Sequence, residues 1–496
     1  MRKKFRTGLV FAGMAAMLVG CGQNAATVTT AAATEQAAEK ETTAEVKAET
    51  EAAMELEQGA PIEGAVNIVL SDDGITVDGE EISGSADDAV YAANDIVYYE
   101  AGKDFKYGEG TEEDEHSKEE ADAHTVIHIT KPGTYAVTGK ISAGQIAVDL
   151  GKEAEEDPEA VVTLILNGVD ITNTVAPAIL VYNVYECGPK DEETAVKDVD
   201  TTTAGMNLVI ADGTVNNVSG SYVARIYKSI ELNEDGTKVV DSKKLHKYDG
   251  AIQAKMSMNV TGGEEGTGVL NILAENEGLG SEYHLTINGG NINIESGNDG
   301  INTNEDGVSV TTINGGNLTI QVIGTTGEGD GIDSNGWLVI NGGTVVAAAC
   351  SDSADAGIDS DMGIHINGGT VLASGHMLDR IEEGGQTYAI FNLMQKQDNT
   401  GALFIKDEAG TVVLESNIEN KYSVLVYSNP DLKEGTYTLW NNKEEMIGQS
   451  GGPMGGFGNG PMPGMEPPER PEGFEGMEPP APPKDGEGKD DKRPFV

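Results

Sequence analysis

Leu285-Thr-Ile-Asn-Gly-Gly290, Thr312-Ile-Asn-Gly-Gly316, Val339-Ile-Asn-Gly-Gly343 and His365-Ile-Asn-Gly-Gly369 are four copies of one block. Their isoleucines, Ile287, Ile313, Ile340 and Ile366, step by 26, 27 and 26 residues. Short strands and glycine turns repeating at this length predict a parallel β-solenoid. A second block keeps time with the first: Asn298-Asp-Gly-Ile-Asn-Thr303, Gly329-Asp-Gly-Ile-Asp-Ser334 and Asp355-Ala-Gly-Ile-Asp-Ser360. A weaker copy, Asn276-Glu-Gly-Leu-Gly-Ser281, precedes them. Coils that stack in this way display columns of like residues, so an extended binding surface is expected rather than one deep pocket.

Around each Asn-Gly-Gly turn, aliphatic and polar residues alternate. Leu285, Ile287, Ile292 and Ile294 are matched by Leu338, Ile340 and Val345, and by Ile364, Ile366 and Val371. Alternation with period two buries one face of a strand, here the interior of the coil. Asn288, Asn314, Asn341 and Asn367 share one turn position, which suits a ladder of side-chain amides. The glycines beside them permit positive φ at the corner.

Upstream, Val66–Leu70, Gly74–Val77, Val126–Thr130, Thr134–Thr138 and Gly144–Asp149 read as short strands, with an acidic loop at Glu112–Glu120. Lys190–Thr203 and Leu232–Lys247 read as polar insertions. Downstream of Gly375 the repeat stops, and Thr387–Asn392, Ala402–Lys406, Val412–Glu415 and Tyr422–Tyr427 read as an antiparallel β element. A solenoid end exposes unpaired edges and apolar stacks, so this element is expected to be a cap. The predicted class is all-β, with a parallel β-helix and its N-terminal cap region over 64–375 and a C-terminal β cap over 376–448.

The chain opens with Arg2, Lys3, Lys4 and Arg6, an apolar run from Leu9 to Val19, and Leu18-Val-Gly-Cys21. This predicts a secretory signal over 1–21 ending in a bacterial lipobox, with Cys21 lipidated. Residues 22–63 read as a disordered tether and 449–496, rich in Pro, Gly and Met, as a disordered tail. The expected location is the outer face of a bacterial cytoplasmic membrane, held there by the lipid. Lys and Arg number 32 against 83 Asp and Glu, a formal charge of −51. That charge argues against nucleic acid as a partner. Cys187 and Cys350 fall about five or six coils apart, roughly 25 Å at strand spacing, so they are expected to be unpaired and buried.

In the second block, with Ile301, Ile332 and Ile358 pointing in, Asn302, Asp333 and Asp359 should point out on successive coils. Asp299 and Asp330 make a second set of rungs, with Asp355 and Asp361 close by. Carboxylates about 4.8 Å apart repel by about 3.5 kcal/mol at an effective dielectric of 20. A hard cation bridging the rungs relieves this, and oxygen-only ligands suit Ca²⁺. The plainer alternative is a solvated acidic turn in which Asp-Gly serves the backbone.

A β-helix with calcium is similar to pectate lyases, which need a cationic base and cations to hold uronate carboxylates. From Met256 through Gly375 there is no Lys or Arg, and His284, His365 and His376 read as incidental surface residues. Lys255 and Arg380 are the nearest cations in sequence to the acidic block. Stacking platforms are few, with Trp337 the candidate ligand contact. A binding protein is therefore expected rather than an enzyme.

Several ordered segments resemble one family. Leu166-Asn-Gly-Val-Asp-Ile-Thr172, Ala176-Pro-Ala-Ile179, Leu208-Val-Ile-Ala-Asp-Gly-Thr214, Gly331-Ile-Asp-Ser334, Ile340-Asn-Gly-Gly343, Ser428-Asn-Pro-Asp-Leu432 and Gly435-Thr-Tyr-Thr438 together resemble the clostridial cellulose- and acid-sugar-binding β-helix proteins, carbohydrate-binding domain-containing lipoproteins. The resemblance runs from about 66 to 445. It implies a pectate-lyase-like right-handed β-helix, bound calcium, a cell-surface location, and binding of cellulose or polygalacturonate without established catalysis. The expected protein is thus a monomeric, membrane-tethered polysaccharide binder assisted by Ca²⁺. The alternatives are a calcium-dependent polysaccharide lyase or hydrolase, and a structural adhesin without a glycan ligand.

Overall fold

The structure, a computed structural model, describes residues 59–324, 328–397, 402–441, 444–445 and 448–451. The expected signal sequence with Cys21, most of the tether and the tail beyond 451 lie outside the described residues. The chain is all-β. Among the described residues the one α-helix is Lys118–Asp122, closed by a capping box between Ser117 and Glu120. No helix among the described residues is long and apolar enough to cross a membrane.

The repeated blocks become three ladders of strands that pair in parallel with the strand one repeat later. In the first ladder, Ile287, Ile313, Ile340 and Ile366 stand in register. In the second, so do Ile292, Leu318, Val345 and Val371. In the third, the column is Ile252, Leu279, Ile301 and Ile332. All three columns are buried and belong to one continuous apolar core. The cause is the alternation itself, since a slip of one residue would turn every aliphatic outward.

Between the first and second ladders the chain turns at Asn-Gly-Gly. Gly290, Gly316, Gly343 and Gly369 adopt φ of +99°, +86°, +79° and +82°, a region that L side chains occupy at a cost. The asparagines beside them form the expected ladder: Asn314 donates to Asn288 Oδ1 at 2.9 Å, Asn341 to Asn314 at 2.9 Å, and Asn367 to Asn341 at 2.8 Å. A second amide column lies across the corner, with Asn317 donating to Asn291 at 2.8 Å.

Gly133–Ile141 and Val162–Thr172 are long strands that run through both the first and second ladders. At the far end the parallel order stops. Tyr422–Ser428 lies antiparallel on Thr370–Gly375, and Tyr388–Gln397 lies antiparallel on Tyr422–Ser428. Leu372, Phe391, Leu403, Leu425 and Leu439 pack there in a separate apolar cluster.

The segment around 190–203 is loop, and it folds over the first ladder. Thr201 donates to Thr286 Oγ1 at 2.7 Å, and its carbonyl accepts from Asn259 Nδ2 at 2.7 Å. The polar insertion read at Leu232–Lys247 does leave the ladders, but it starts earlier and is built of strands. Val223–Leu232 and Val239–Tyr248 form an antiparallel hairpin with several register shifts, whose strands escape an apolar-period search because their exposed positions carry Lys, Glu and Ser. Its root, Val223, Ile226 and Tyr248, is fixed in an apolar cluster with Tyr99, Ala147 and Leu180 on the outer side of the third ladder.

Cys187 and Cys350 are both free. Cys350 is buried, whereas Cys187 is only half-buried because it lies in the covering loop rather than in a coil strand. His284 is not a surface residue: it is 1% exposed, covered by the Gly188–Pro189 turn whose carbonyl faces its Nε2 at 3.2 Å.

Candidate functional site: a stack of carboxylates on the third ladder

The third-ladder strands are short and bounded by glycines, and this determines where their acids point. A Cβ on Gly331 would lie 2.3 Å from the carbonyl oxygen of Gly357 and 3.0 Å from the Ala347 Cβ. At Gly300 it would lie 2.1 Å from the inward Ile320 Cγ2. Glycine is therefore required on the core side, and the acids flanking it are left to the outer side. Two columns result. One runs Glu277, Asp299, Asp330 and Ala356 at the strand entry; the other runs Gln253, Gly280, Asn302, Asp333 and Asp359.

Asp330, Asp333 and Asp359 converge, each offering one carboxylate oxygen within 4.8 Å of the others. Oxygens sharing one Ca²⁺ at about 2.4 Å can lie up to about twice that distance apart, so the spacing fits a shared hard cation. All three side chains are half-buried. Burial, reinforced by Asp299, pushes Asp330 up to about 9. Burial with the charges of Asp299, Asp359 and Asp361 pushes Asp333 up to about 8. Burial and Asp379 raise Asp359 to about 6.

The remaining predicted residues surround this trio. Asp299 is buried, and its Oδ1 accepts the backbone N–H of Asp330 at 2.7 Å. Burial and nearby acids hold its carboxyl above the usual range despite that bond. Asp330 in turn accepts from the Ala356 N–H at 2.6 Å, and Asp355 from the Gly329 N–H at 2.6 Å. One oxygen of Asp299 and one of Asp330 are thus pinned by the next coil's backbone, and one of Asp355 by the coil before it, which fixes where the other oxygen of each points. Asp361 is exposed, one turn beyond Asp359. Asn302, expected to face solvent, is instead 8% exposed, with the side chains of Glu277 and Asp299 beside it. Trp337 opens a first-ladder strand four residues after Asp333 and is half-buried, in register between Val310 and Gly363.

Glu277 was not singled out from the sequence, yet it is the most deeply placed acid of the stack, at 4% exposure. Its Oε1 accepts from Asn302 Nδ2 at 2.9 Å, while its Oε2 and Asn302 Oδ1 are buried with no hydrogen-bond partner among the described residues. Burial, with Asp249 and Asp299 adding repulsion, holds Glu277 well above the usual carboxylate range. The signal was present: Asn276-Glu-Gly-Leu-Gly is the weak copy of Asn298-Asp-Gly-Ile-Asn, so Glu277 stands where Asp299 and Asp330 stand. Two orphaned buried oxygens beside a set of unneutralised carboxylates are a donor set that a divalent cation satisfies.

The cation that acts on this stack is Lys247, not Lys255 or Arg380. Its Nζ lies 2.8 Å from Asp249 Oδ2, and Asp249 neighbours Glu277. Arg380 is held by Glu382 at 2.6 Å.

With this geometry in view, the relatives of the chain are informative. Residues 123–376, just over half of the chain, match the family described as carbohydrate-binding domain-containing protein. A carbohydrate-binding domain-containing protein of Acetivibrio thermocellus is 29% identical over 171 residues, covering 34% of this chain and 45% of that protein. The match thus spans less than half of that relative's length. A solved polysaccharide lyase-like protein from C. thermocellum, in a gadolinium derivative, is 21% identical with a TM-score of 0.36, over 62% of this chain and 89% of that one. The stack of acids lies wholly within the matched region, and the chain belongs to the carbohydrate-binding domain-containing protein family.

Proposed function

We propose that this chain is a cell-surface polysaccharide-binding protein, built as a right-handed parallel β-helix, tethered by lipid at Cys21, and non-catalytic. Its ligand is an acidic glycan such as polygalacturonate, or cellulose, engaged along the third ladder. Asp330, Asp333 and Asp359 would hold Ca²⁺, with Asp299 and Asn302 beside them, and the ion would bridge protein and sugar carboxylates. The observation that carries this reading is the convergence of those three carboxylates on the outside of consecutive coils. A surface this anionic repels uronate unless a cation intervenes.

A lyase is the second reading, because Lys247 lies beside the stack. Lyase chemistry needs a group that accepts the proton next to the carboxylate. Although desolvation opposes its charge, the Asp249 and Glu277 carboxylates hold Lys247 above the usual ammonium range, so it keeps its proton. The test is retention of the protein on polygalacturonate and on cellulose, in calcium and in EDTA, with ultraviolet absorbance followed for unsaturated product. Calcium-dependent retention without absorbance is expected, and is lost in Asp333→Asn. Rising absorbance would make the protein a lyase; no retention in either buffer would leave a structural adhesin.

A further inference from the structure

The hairpin Val223–Tyr248 departs from the electrostatics of the rest of the chain. It carries six cations, Arg225, Lys228, Lys238, Lys243, Lys244 and Lys247, against four acids, Glu231, Glu234, Asp235 and Asp241. The whole chain has 32 cations against 83 acids, and the 120 residues after Lys255, through Gly375, have no cation at all. Three of the six are engaged with acids outside the hairpin: Arg225 with Glu109 at 3.7 Å, Lys244 with Glu282 at 3.0 Å, and Lys247 with Asp249 at 2.8 Å. Lys228, Lys238 and Lys243 are exposed and make no ion pair among the described residues. In a protein with so many acids, lysines left unpaired are available to a ligand from outside.

The hairpin is placed by its root rather than left to swing. Val223, Ile226 and Tyr248 are buried with Tyr99 and Leu180, and Tyr107 pairs with its first strand through the Tyr227 N–H at 2.8 Å. Lys244 reaches Glu282, at the exit of the Glu277–Ser281 strand, and Lys247 reaches Asp249, at the entry of the strand before it. The second strand of the hairpin therefore rises beside the start of the carboxylate stack. Val240 and Leu245 are 44% and 48% exposed on that same strand, among Lys243, Lys244 and Lys247. Apolar patches between cations match a uronic acid polymer, whose rings present C–H faces between carboxylates.

We infer that the hairpin Val223–Tyr248 is a second glycan-binding element, a lysine-bearing arm that takes carboxylates of a polyuronate strand directly while the neighbouring acid stack takes others through a cation. This rests on the acidic-polysaccharide reading above and specifies which part of the ligand surface works without metal.

The test uses the purified protein, the variant Lys228→Ser/Lys238→Ser/Lys243→Ser, and Asp333→Asn, each first shown to melt as the parent does or to be folded by circular dichroism. Affinity for polygalacturonate is measured in calcium at several salt concentrations, with cellulose and double-stranded DNA in parallel. The triple variant is expected to bind polygalacturonate about tenfold more weakly, with a shallower salt dependence and unchanged cellulose retention. Unchanged affinity and slope in the triple variant, with binding lost in Asp333→Asn, would overturn the arm alone. Failure of the parent protein to bind polygalacturonate in calcium would overturn the acidic-glycan reading and the arm with it. DNA bound as tightly as polygalacturonate would overturn the assignment to carboxylates.

Discussion

Asn302 donates its amide to Glu277 Oε1 at 2.9 Å, and Glu277 Oε2 and Asn302 Oδ1 are both buried with no hydrogen-bond partner among the described residues. An unsatisfied buried acceptor costs about 1–3 kcal/mol, more when charged. Glu277→Gln keeps the shape while removing a carboxyl that folding must either protonate or leave charged beside Asp249 and Asp299. Metal-free Glu277→Gln is therefore expected to melt several degrees above the parent. In saturating calcium the difference should shrink or reverse, as thermal denaturation in both conditions will show.

Cation binding should release protons. Asp330 and Asp333, raised to about 9 and about 8, are mostly protonated at pH 7 without a cation, and a metal ligand must be ionised. Titration calorimetry in buffers of different ionisation enthalpy is expected to show release of about one to two protons per ion at pH 7. Release should vanish by about pH 10. Asp333→Asn should weaken the ion at least tenfold.

The same shifts fix the sign of the pH dependence of stability. The folded-state values of Asp330, Asp333 and Asp359 lie above the unfolded value of about 3.9. The native state then binds more protons than the unfolded state between about pH 4 and 9, so stability falls as pH rises through that window. Metal-free protein should lose melting temperature from pH 5 to 9, and the gain on adding calcium should grow over the same range.

Gly331→Ala tests whether the backbone of the Asp-Gly pair holds the acids in place. Its Cβ would meet the Gly357 carbonyl oxygen at 2.3 Å, so the third ladder must open. A loss of about 1–3 kcal/mol is expected, with calcium affinity falling alongside because Asp330 adjoins the displaced residue and Asp333 lies two positions beyond it. Denaturant unfolding and calcium titration on the same sample check both.

Asn341 bonds to the amides on either side of it, Asn314 and Asn367, whereas Asn367 bonds through its side-chain amide to Asn341. Asn341→Ala is expected to cost about 1–2 kcal/mol and Asn367→Ala about half as much. Equal losses would mean that the ladder does not share load along the stack.

The coil register was legible in the sequence because identical aliphatics recur at one period, and stacking brings them together without long-range information. The asparagine ladder was legible for the same reason. The convergence of Asp359 with Asp330 and Asp333 was only half visible. Its coil carries Ala356 where the others carry an acid, so a count of rungs does not say which three carboxylates meet. Burial of Asn302 goes with Glu277 and Asp299 packed beside it, which no periodicity reports. Lys247 was passed over because it precedes the regular repeat, and only the folded hairpin carries it back to the stack. His284 read as a surface residue because the loop that covers it lies nearly a hundred residues earlier.

The columns also say how such a protein can change length. A duplicated segment of 26 residues would bring its own Ile, Asn and Asp into columns already present, adding one rung of about 4.8 Å to the anionic stripe without new packing rules. Extra residues at a corner are a different event: between Gly220 and Gly250 they leave the stack as a hairpin and the ladders on both sides stay in register. Reach along a polymer and the chemistry offered to it can thus be altered independently, the first by copying a coil and the second by extending a corner.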